Sequence, residues 1–465
     1  MDAAYAIAKN LATVKYNDIP RDIVEVTKKQ ILDILGVTMG GSSRPGVKEL
    51  AELIGEWGGK EESTVLCFGN KVPAPNAAQV NATMGHALDY DDTGEGPTHP
   101  SVVIVPACLA IAERQRGVSG REFITSVALG VDMMGRLGRA FRVGMKTKPV
   151  AGHPGAGWHL TALYGYLAVA GIAGRLLGLD EDRLLNALGI AYHQCSGNGQ
   201  CVTEGALTKR MGPGFSARGG IVAALLAEKG ITGAKECLEG EVGLYNLYHK
   251  GEYDPASLTD NLGKHFAGIN VTMKPYPCCK GTHNYVDVAL ALVDKYNIKA
   301  NDIQEITVFC RDPEYFLLHP LEKRSRPENP VDSQFSIPWA VAAVFARGRA
   351  GVREFTDEAI KSQDILDVTA KIRVEVDADL KKAKDMDPAK ISVTAKNGQT
   401  FTEQAVNTSE DADKTLPFSM YERKFRDCAA FSIKPLPEKQ VDEIISSVSR
   451  LDQLDDIRQL IELLS

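Results

Sequence analysis

The chain has 465 residues, 44% of them hydrophobic and 24% charged, with a formal net charge of −7. That is the composition of an ordinary soluble globular protein of about two or three domains. The acidic balance, without any dense Lys/Arg cluster, argues against a nucleic-acid partner, and no run of about eighteen uncharged apolar residues suggests a membrane span.

The opening stretch "MDAAYAIAKNLATVKYNDIP" carries Asp2 and Lys9 and lacks a basic region followed by an apolar core, so a cytoplasmic location is expected. Pro20 opens a predicted helix whose apolar positions Ile23, Val26, Ile31, Ile34 and Leu35 fall at helical spacing, with Gly40 and Gly41 ending it. Further helices are predicted at 46–57, 75–89, 101–115, 120–141, 159–177, 181–196, 214–229 and 234–248. Several are rich in Ala and Gly, as in "LTALYGYLAVAGIAGRLLG", which allows close packing and implies burial in a large helical domain. The early strand candidate is "STVLCF", 63–68.

Near residue 267 the texture changes. "AGINVTMKPYP", "IQEITVFCR" and "AKIRVEVDADL" read as strands, with a helix at 281–297 between the first two. "ISVTAKNGQTFTEQ" places Asn397-Gly398 between extended flanks, the signal of a type I′ hairpin. From about 413 the pattern is helical again, with Val441, Ile444, Ile445, Val448, Leu451 and Leu454 forming a stripe suited to pack on the N-terminal helices. The expected organisation is mainly α: helical parts at 1–266 and 406–465 with a smaller α+β domain at 267–405.

The nine cysteines, an odd number without a CxxC pair, read as free thiols, and adjacent Cys278 and Cys279 make a poor zinc or iron-sulfur ligand set. No HExxH, GxGxxG after a strand, GxxxxGK[ST] or GxSxG occurs, so metal, dinucleotide, NTP and serine-hydrolase readings all lack a motif.

Polar stretches stand out against the apolar helices. In "HALDYDDTGEGPTHPS", 86–101, Asp89 is expected at a helix C-terminus, where the macrodipole raises a carboxyl pKa. His99 is expected at the N-cap before Pro100, where the same dipole disfavours imidazolium. Such a pair suits proton transfer, while Asp91 and Asp92 read as local structure. The plainer alternative is that the aspartates merely cap helices. "EGALTKRMGPGFSARGG", 204–220, sets Lys209, Arg210 and Arg218 around a Gly-Pro-Gly turn, the makings of an anion site. "KPYPCCKGTHNYVD", 274–287, carries Lys274, Lys280 and His283 in a strand-to-helix loop. "GHPGAGWHLTALYG" adds His153, read as a helix cap, and His159.

"HALDYDDT", "THPS", "GWHLT", "LTKRMGPGFSARGGIVAALLAEKGITG", "KPYPCCKGTH" and "DSQFSIPWAVAAVFARG" follow one another as in the MmgE/PrpD family, which the chain resembles over nearly its whole length. That family includes 2-methylcitrate dehydratase, cis-aconitate decarboxylase and iminodisuccinate epimerase. The resemblance implies that the α+β domain is an inserted lid, and a homodimer with an active site between the helical and lid domains. It places functional positions on Asp89, Thr93, His99, His159, Lys209 and Lys274. The implied activity is a cofactor-independent lyase, a dehydratase or decarboxylase of a small di- or tricarboxylate, with an epimerase as the alternative. Lys209 and Lys274, with Arg210 and His283 beside them, would bind carboxylates and stabilise charge; Asp89 and His99 would move protons, His159 would act as acid, and Thr93 would orient. No metal or organic cofactor is required in that scheme. The chain departs from its relatives at Gly212, where many carry histidine, and at Cys279, where the decarboxylase lid motif has histidine. The Cys-Cys form of the lid motif is closer to the epimerase-like branch.

Overall fold

A computed structural model describes residues 1–146, 156–312, 314–380, 388–405 and 416–465. The helices α1 (Ala3–Thr13), α2 (Arg21–Gly41), α3 (Val47–Trp57), α4 (Ala74–His86), α5 (Ser101–Gln115), α6 (Gly120–Gly144), α7 (Leu160–Leu176), α8 (Glu181–Gln194), α9 (Gln200–Glu204) and α10 (Thr208–Glu228) form the N-terminal part. The chain ends return to it through helices Phe418–Ala429, Glu438–Ser449 and Arg458–Leu463. Residues from both ends share one apolar core: Ile31, Leu35, Val103, Leu163 and Ile221 pack in the same cluster as Phe425, Ile444, Val448 and Leu460. Each fully buried aliphatic or aromatic side chain contributes roughly 1.5–3 kcal/mol relative to exposure, so the predicted C-terminal stripe closes the helical body. No helix of the described residues is long and apolar enough to cross a membrane.

Close approach of α10 to its neighbours depends on glycine. A Cβ on Gly214 would lie 2.4 Å from Thr83 Oγ1 and 2.5 Å from the Gln79 carbonyl of α4. The expected Gly-Pro-Gly turn is therefore absent; 212–214 continues a helix that starts at Thr208, with Pro213 inside it. Proline there removes the bond to the Lys209 carbonyl but the flanking glycines let the backbone seat against α4 and α7.

A second apolar cluster holds Val286, Leu292, Ile306, Val308, Trp339, Val341 and Ile391. Its four-stranded sheet has the order β4-β3-β5-β6, with β3 (Ile303–Cys310) parallel to β4 (Ile372–Val376) and antiparallel to β5 (Ala389–Ala395), which pairs with β6 (Thr400–Ala405). The architecture is mainly α with a small α+β insert, as expected.

Local expectations fail where tertiary contacts override pattern. "AGINVTMKPYP" is a 3-10 turn at Ala267–Asn270 followed by a single bridge between Thr272 and Thr93, because Thr93 offers only a short partner. "STVLCF" keeps strand only at β1 (Ser63–Thr64), which pairs with β2 (Lys71–Val72) beyond it. The predicted helix at 234–248 shrinks to Leu244–His249, since Gly233, Gly240 and Gly243 break the run. The hairpin at Asn397-Gly398 is present, but Gly398 has φ +85° while Asn397 is not in the left-handed region, which gives a type I turn with a glycine bulge rather than type I′.

Candidate active site

The site is assembled from four segments. Helix α4 stops at His86, and Asp89 turns the chain with φ +49°, a left-handed conformation that costs a non-glycine residue roughly 1–2 kcal/mol. The loop then runs to α5. Pro100 has helical angles (φ −74°, ψ −45°) and is the N-cap of α5, so His99 lies one residue before the N-cap rather than at it as expected. Thr93 and Thr272 exchange two backbone hydrogen bonds of 2.9 and 2.8 Å, which ties this loop to the segment carrying Lys274. Lys209 comes from the first turn of α10 and His159 caps α7.

These pieces converge on Asp89. Lys209 Nζ pairs with its Oδ1, and Lys274 Nζ donates to its Oδ2 and to its carbonyl oxygen, both at 2.9 Å. All three side chains are at most 5% exposed. The Lys209 ammonium also lies 4.9 Å from the Phe335 ring centroid. Beside this triad three imidazoles gather: His86 lies 5.3 Å from His99 and 5.6 Å from His159, measured between ring centroids. His86 Nδ1 bonds Asp91 Oδ2 at 2.8 Å. His99 Nδ1 sits 2.6 Å from the Asp92 carbonyl oxygen, which only accepts, so Nδ1 carries the proton and Nε2 keeps its lone pair.

Burial and neighbouring charges then set the protonation states. Burial, with the Lys274 cation nearby, pushes His99 down to about 3, so the ring stays neutral. Burial likewise lowers His86. The Asp89 carboxyl, despite the burial that opposes ionisation, is held well below the usual carboxylate range by Lys209 and Lys274. This corrects the expectation of a raised Asp89: two ammonium groups in direct contact outweigh a helix C-terminus. Asp91 is also held down, by the His86 and His99 rings against its burial. The raised acid is Asp92, pushed to about 8 by burial and by the charges of Asp33 and Asp91. Its Oδ1 accepts a 3.3 Å bond from the Ser101 amide at the start of α5, the local structural role expected of it.

His86, Asp89 and Asp91 lie close enough to suggest a metal site among the described residues. The donor set does not fit one: ammonium groups already occupy both Asp89 oxygens, and an added cation would face both positive charges.

Residues 5–256 match the model of the MmgE/PrpD N-terminal domain, and residues 276–452 that of the MmgE/PrpD C-terminal domain. The chain belongs to the MmgE/PrpD family. It is 26% identical over 482 residues to cis-aconitate decarboxylase of Aspergillus terreus, covering 98% of this chain and 94% of that protein. The mouse (Mus musculus) cis-aconitate decarboxylase is 27% identical over 465 residues, covering 97% and 91%. The cis-aconitate decarboxylase-like protein oryM of Aspergillus oryzae is 26% identical over 471 residues, covering 97% and 95%.

Within this MmgE/PrpD chain, Asp89, His99, His159, Lys209 and Lys274 are gathered at one place, and Thr93 lines the loop between them. Arg210 is not part of the group. Its Nη1 donates to the Pro45 carbonyl at 2.8 Å, and burial beside Arg44 lowers it to about 10. One residue along a helix is a 100° rotation, which turns Arg210 away from Lys209. His283 is buried behind the lid motif, where Nε2 donates 3.1 Å to the Cys278 carbonyl and braces the loop. Burial and Lys274 lower it to about 3. Lys280 donates to Thr272 Oγ1 at 3.0 Å. His153 lies outside the described residues. Arg218 stacks 5.4 Å over Trp57, away from the site.

Sequence reading assigned no role to His86 or Asp92, although both stood in the stretch it singled out. The signal the sequence offers is the crowding of His86, Asp91, Asp92 and His99 into that one stretch. Gly212 is explained by the site: a Cβ there would lie 2.8 Å from His159 Nδ1.

Proposed function

We propose that this MmgE/PrpD protein is a lyase that acts on a small tricarboxylate or dicarboxylate, with a cis-aconitate-like acid as the first candidate. The observation that carries the reading is the convergence of two buried lysines on ionised Asp89 beside neutral His99, whose Nε2 is left as a base. The decarboxylase names of the relatives support it. They lend no support to the epimerase alternative.

In this reading Asp89 is an ionised anchor that fixes both ammonium groups. Substrate carboxylates pair with the Lys209 and Lys274 ammonium groups, and the same cations stabilise the negative charge that develops when a carbon next to a carboxylate loses its proton or its carboxyl group. His99 Nε2 takes the proton from carbon and, as the imidazolium so formed, returns it when the carbanion is quenched. His159, across the His86 ring, protonates the leaving hydroxyl or the opposite carbon face. Thr93 orients the substrate with its buried hydroxyl, which makes no hydrogen bond among the described residues. These side chains fill each role without an added cofactor. A homodimer, which the family resemblance implies, and a cytoplasmic location, expected from the opening stretch, complete the proposal.

Purified protein incubated with cis-aconitate, citrate-like acids and aspartate-derived acids decides the class by proton NMR. Loss or gain of vinylic signals with release of carbon dioxide or water supports the lyase; unaltered skeletons with exchanged α-protons would establish the epimerase instead. Silence with every acid would refute both.

A further inference from the structure

We propose that Lys424, on the helix Phe418–Ala429 near the far end of the chain, is a positioning residue for the Asp89–His99 loop. Three contacts carry this. Lys424 Nζ ion-pairs with Asp33 Oδ1 of α2 at 2.7 Å, donates to the Tyr90 carbonyl at 2.7 Å, and lies 3.9 Å from the centroid of the Tyr90 ring. Lys424 is 4% exposed and Asp33 1%. The Tyr90 hydroxyl in turn donates to the Pro275 carbonyl at 3.0 Å, next to Lys274.

The geometry has a specific consequence. Successive carbonyls of the loop are each held by a lysine from a distant segment: that of Asp89 by Lys274, and that of Tyr90 by Lys424. Asp89 occupies a left-handed conformation that persists only where its surroundings over-determine it. Fixing the peptide groups at Asp89 and Tyr90 does so, and it aims the Asp89 carboxylate at Lys209 and Lys274. The Tyr90 ring and hydroxyl extend the same hold to the lid motif, so one lysine couples the C-terminal helix to both halves of the site. Lys424 also balances Asp33, whose charge bears on Asp91 and Asp92 beneath the imidazoles. Nothing places Lys424 on the substrate; it acts through Tyr90 and Asp89.

The test pairs a substrate-free arm with a kinetic one, and the kinetic arm rests on the lyase reading. By hydrogen–deuterium exchange, amides of 88–99 in Lys424→Met exchange at least tenfold faster than in the parent protein, while those of α7 do not change. Unchanged exchange in 88–99 overturns the inference, whether or not any acid is turned over. In the kinetic arm Lys424→Met loses on the order of 10²-fold in kcat with KM moved less than threefold, and Lys424→Arg recovers at least tenfold of that loss. Should Lys424→Met fail to fold, Asp33→Asn/Lys424→Met removes the buried pair as a unit and still leaves the Tyr90 carbonyl without its donor. Parent-like kcat in a folded double variant contradicts the proposal. A parent protein inert toward every acid refutes the lyase reading alone.

Discussion

Replacing Lys274 by methionine keeps the stem and deletes the ammonium. The structure gives that ammonium two 2.9 Å hydrogen bonds to Asp89, at 1% side-chain exposure. Removing one partner from a buried ion pair costs about 3–5 kcal/mol, since the remaining charge loses compensation while staying out of water. Lys209 still neutralises part of Asp89, which puts the expectation at the lower end, about 3 kcal/mol. Unfolding entropy of roughly 2.1 cal/mol/K per residue amounts to about 1 kcal/mol/K for a chain this long, so Tm falls by about 3 °C. Turnover falls far more, because the carboxylate clamp and the stabilising cation are lost together: at least 10²-fold in kcat/KM, the range seen when one charge-stabilising donor is removed. Differential scanning calorimetry and steady-state kinetics read the two effects. A variant with parent Tm and parent kcat/KM would refute the assignment of Lys274 to both anchor and clamp.

His99→Gln removes the lone pair at Nε2 and should lower kcat by about 10²–10⁴-fold; a change under threefold would remove His99 from proton transfer. Gly212→Ala forces a methyl group to 2.8 Å from His159 Nδ1 and 3.4 Å from Ala162 Cβ. Overpacking of this kind costs about 1–3 kcal/mol, with kcat falling about tenfold as His159 shifts, and a crystal structure showing an unmoved ring would contradict the mechanism. Asp92, pushed to about 8 from an ordinary 3.8, holds its proton in the folded protein where the unfolded chain has released it. Its contribution is therefore full below about pH 4 and is lost as pH rises toward 8, at up to about 1.4 kcal/mol per pH unit. Asp92→Asn mimics the neutral acid, so the variant gains stability over the parent between pH 5.5 and 8.5 in urea titrations; a difference independent of pH would place Asp92 back among ordinary carboxylates.

Helix periodicity made α2, α5, α7 and α8 legible in the sequence almost to the residue, because each presents a continuous apolar surface to one core. The short elements were not legible. Whether "INVTM" becomes a strand depends on an available edge, and Thr93 provides one bridge only. Gly212 and Gly214 read as a turn because the helices that demand small residues there, α4 and α7, are distant in sequence. Asp89, His99 and Lys209 are recognisable in the sequence as polar groups near helix ends and Lys274 as one in a strand-to-helix loop, but the charge state of Asp89 is not. The helix dipole, a fraction of a charge, was the only electrostatic term visible locally, whereas whole charges on Lys209 and Lys274 arrive from 120 and 185 residues away. Lys424 is buried against Asp33, a partner from the opposite end of the chain that nothing local in the sequence announces.

The central claim is that a polycarboxylate held by Lys209 and Lys274 exchanges a carbon-bound proton with His99 and loses a group. The most direct measurement is NMR of carboxyl-labelled ¹³C cis-aconitate with the purified protein in deuterium oxide, run beside His99→Gln. The expected result is labelled carbon dioxide together with a decarboxylated product that carries one deuterium at carbon, both formed at least 10²-fold more slowly by the variant. Equal rates from both proteins, or a label that stays in place while deuterium enters an unchanged skeleton, would contradict it.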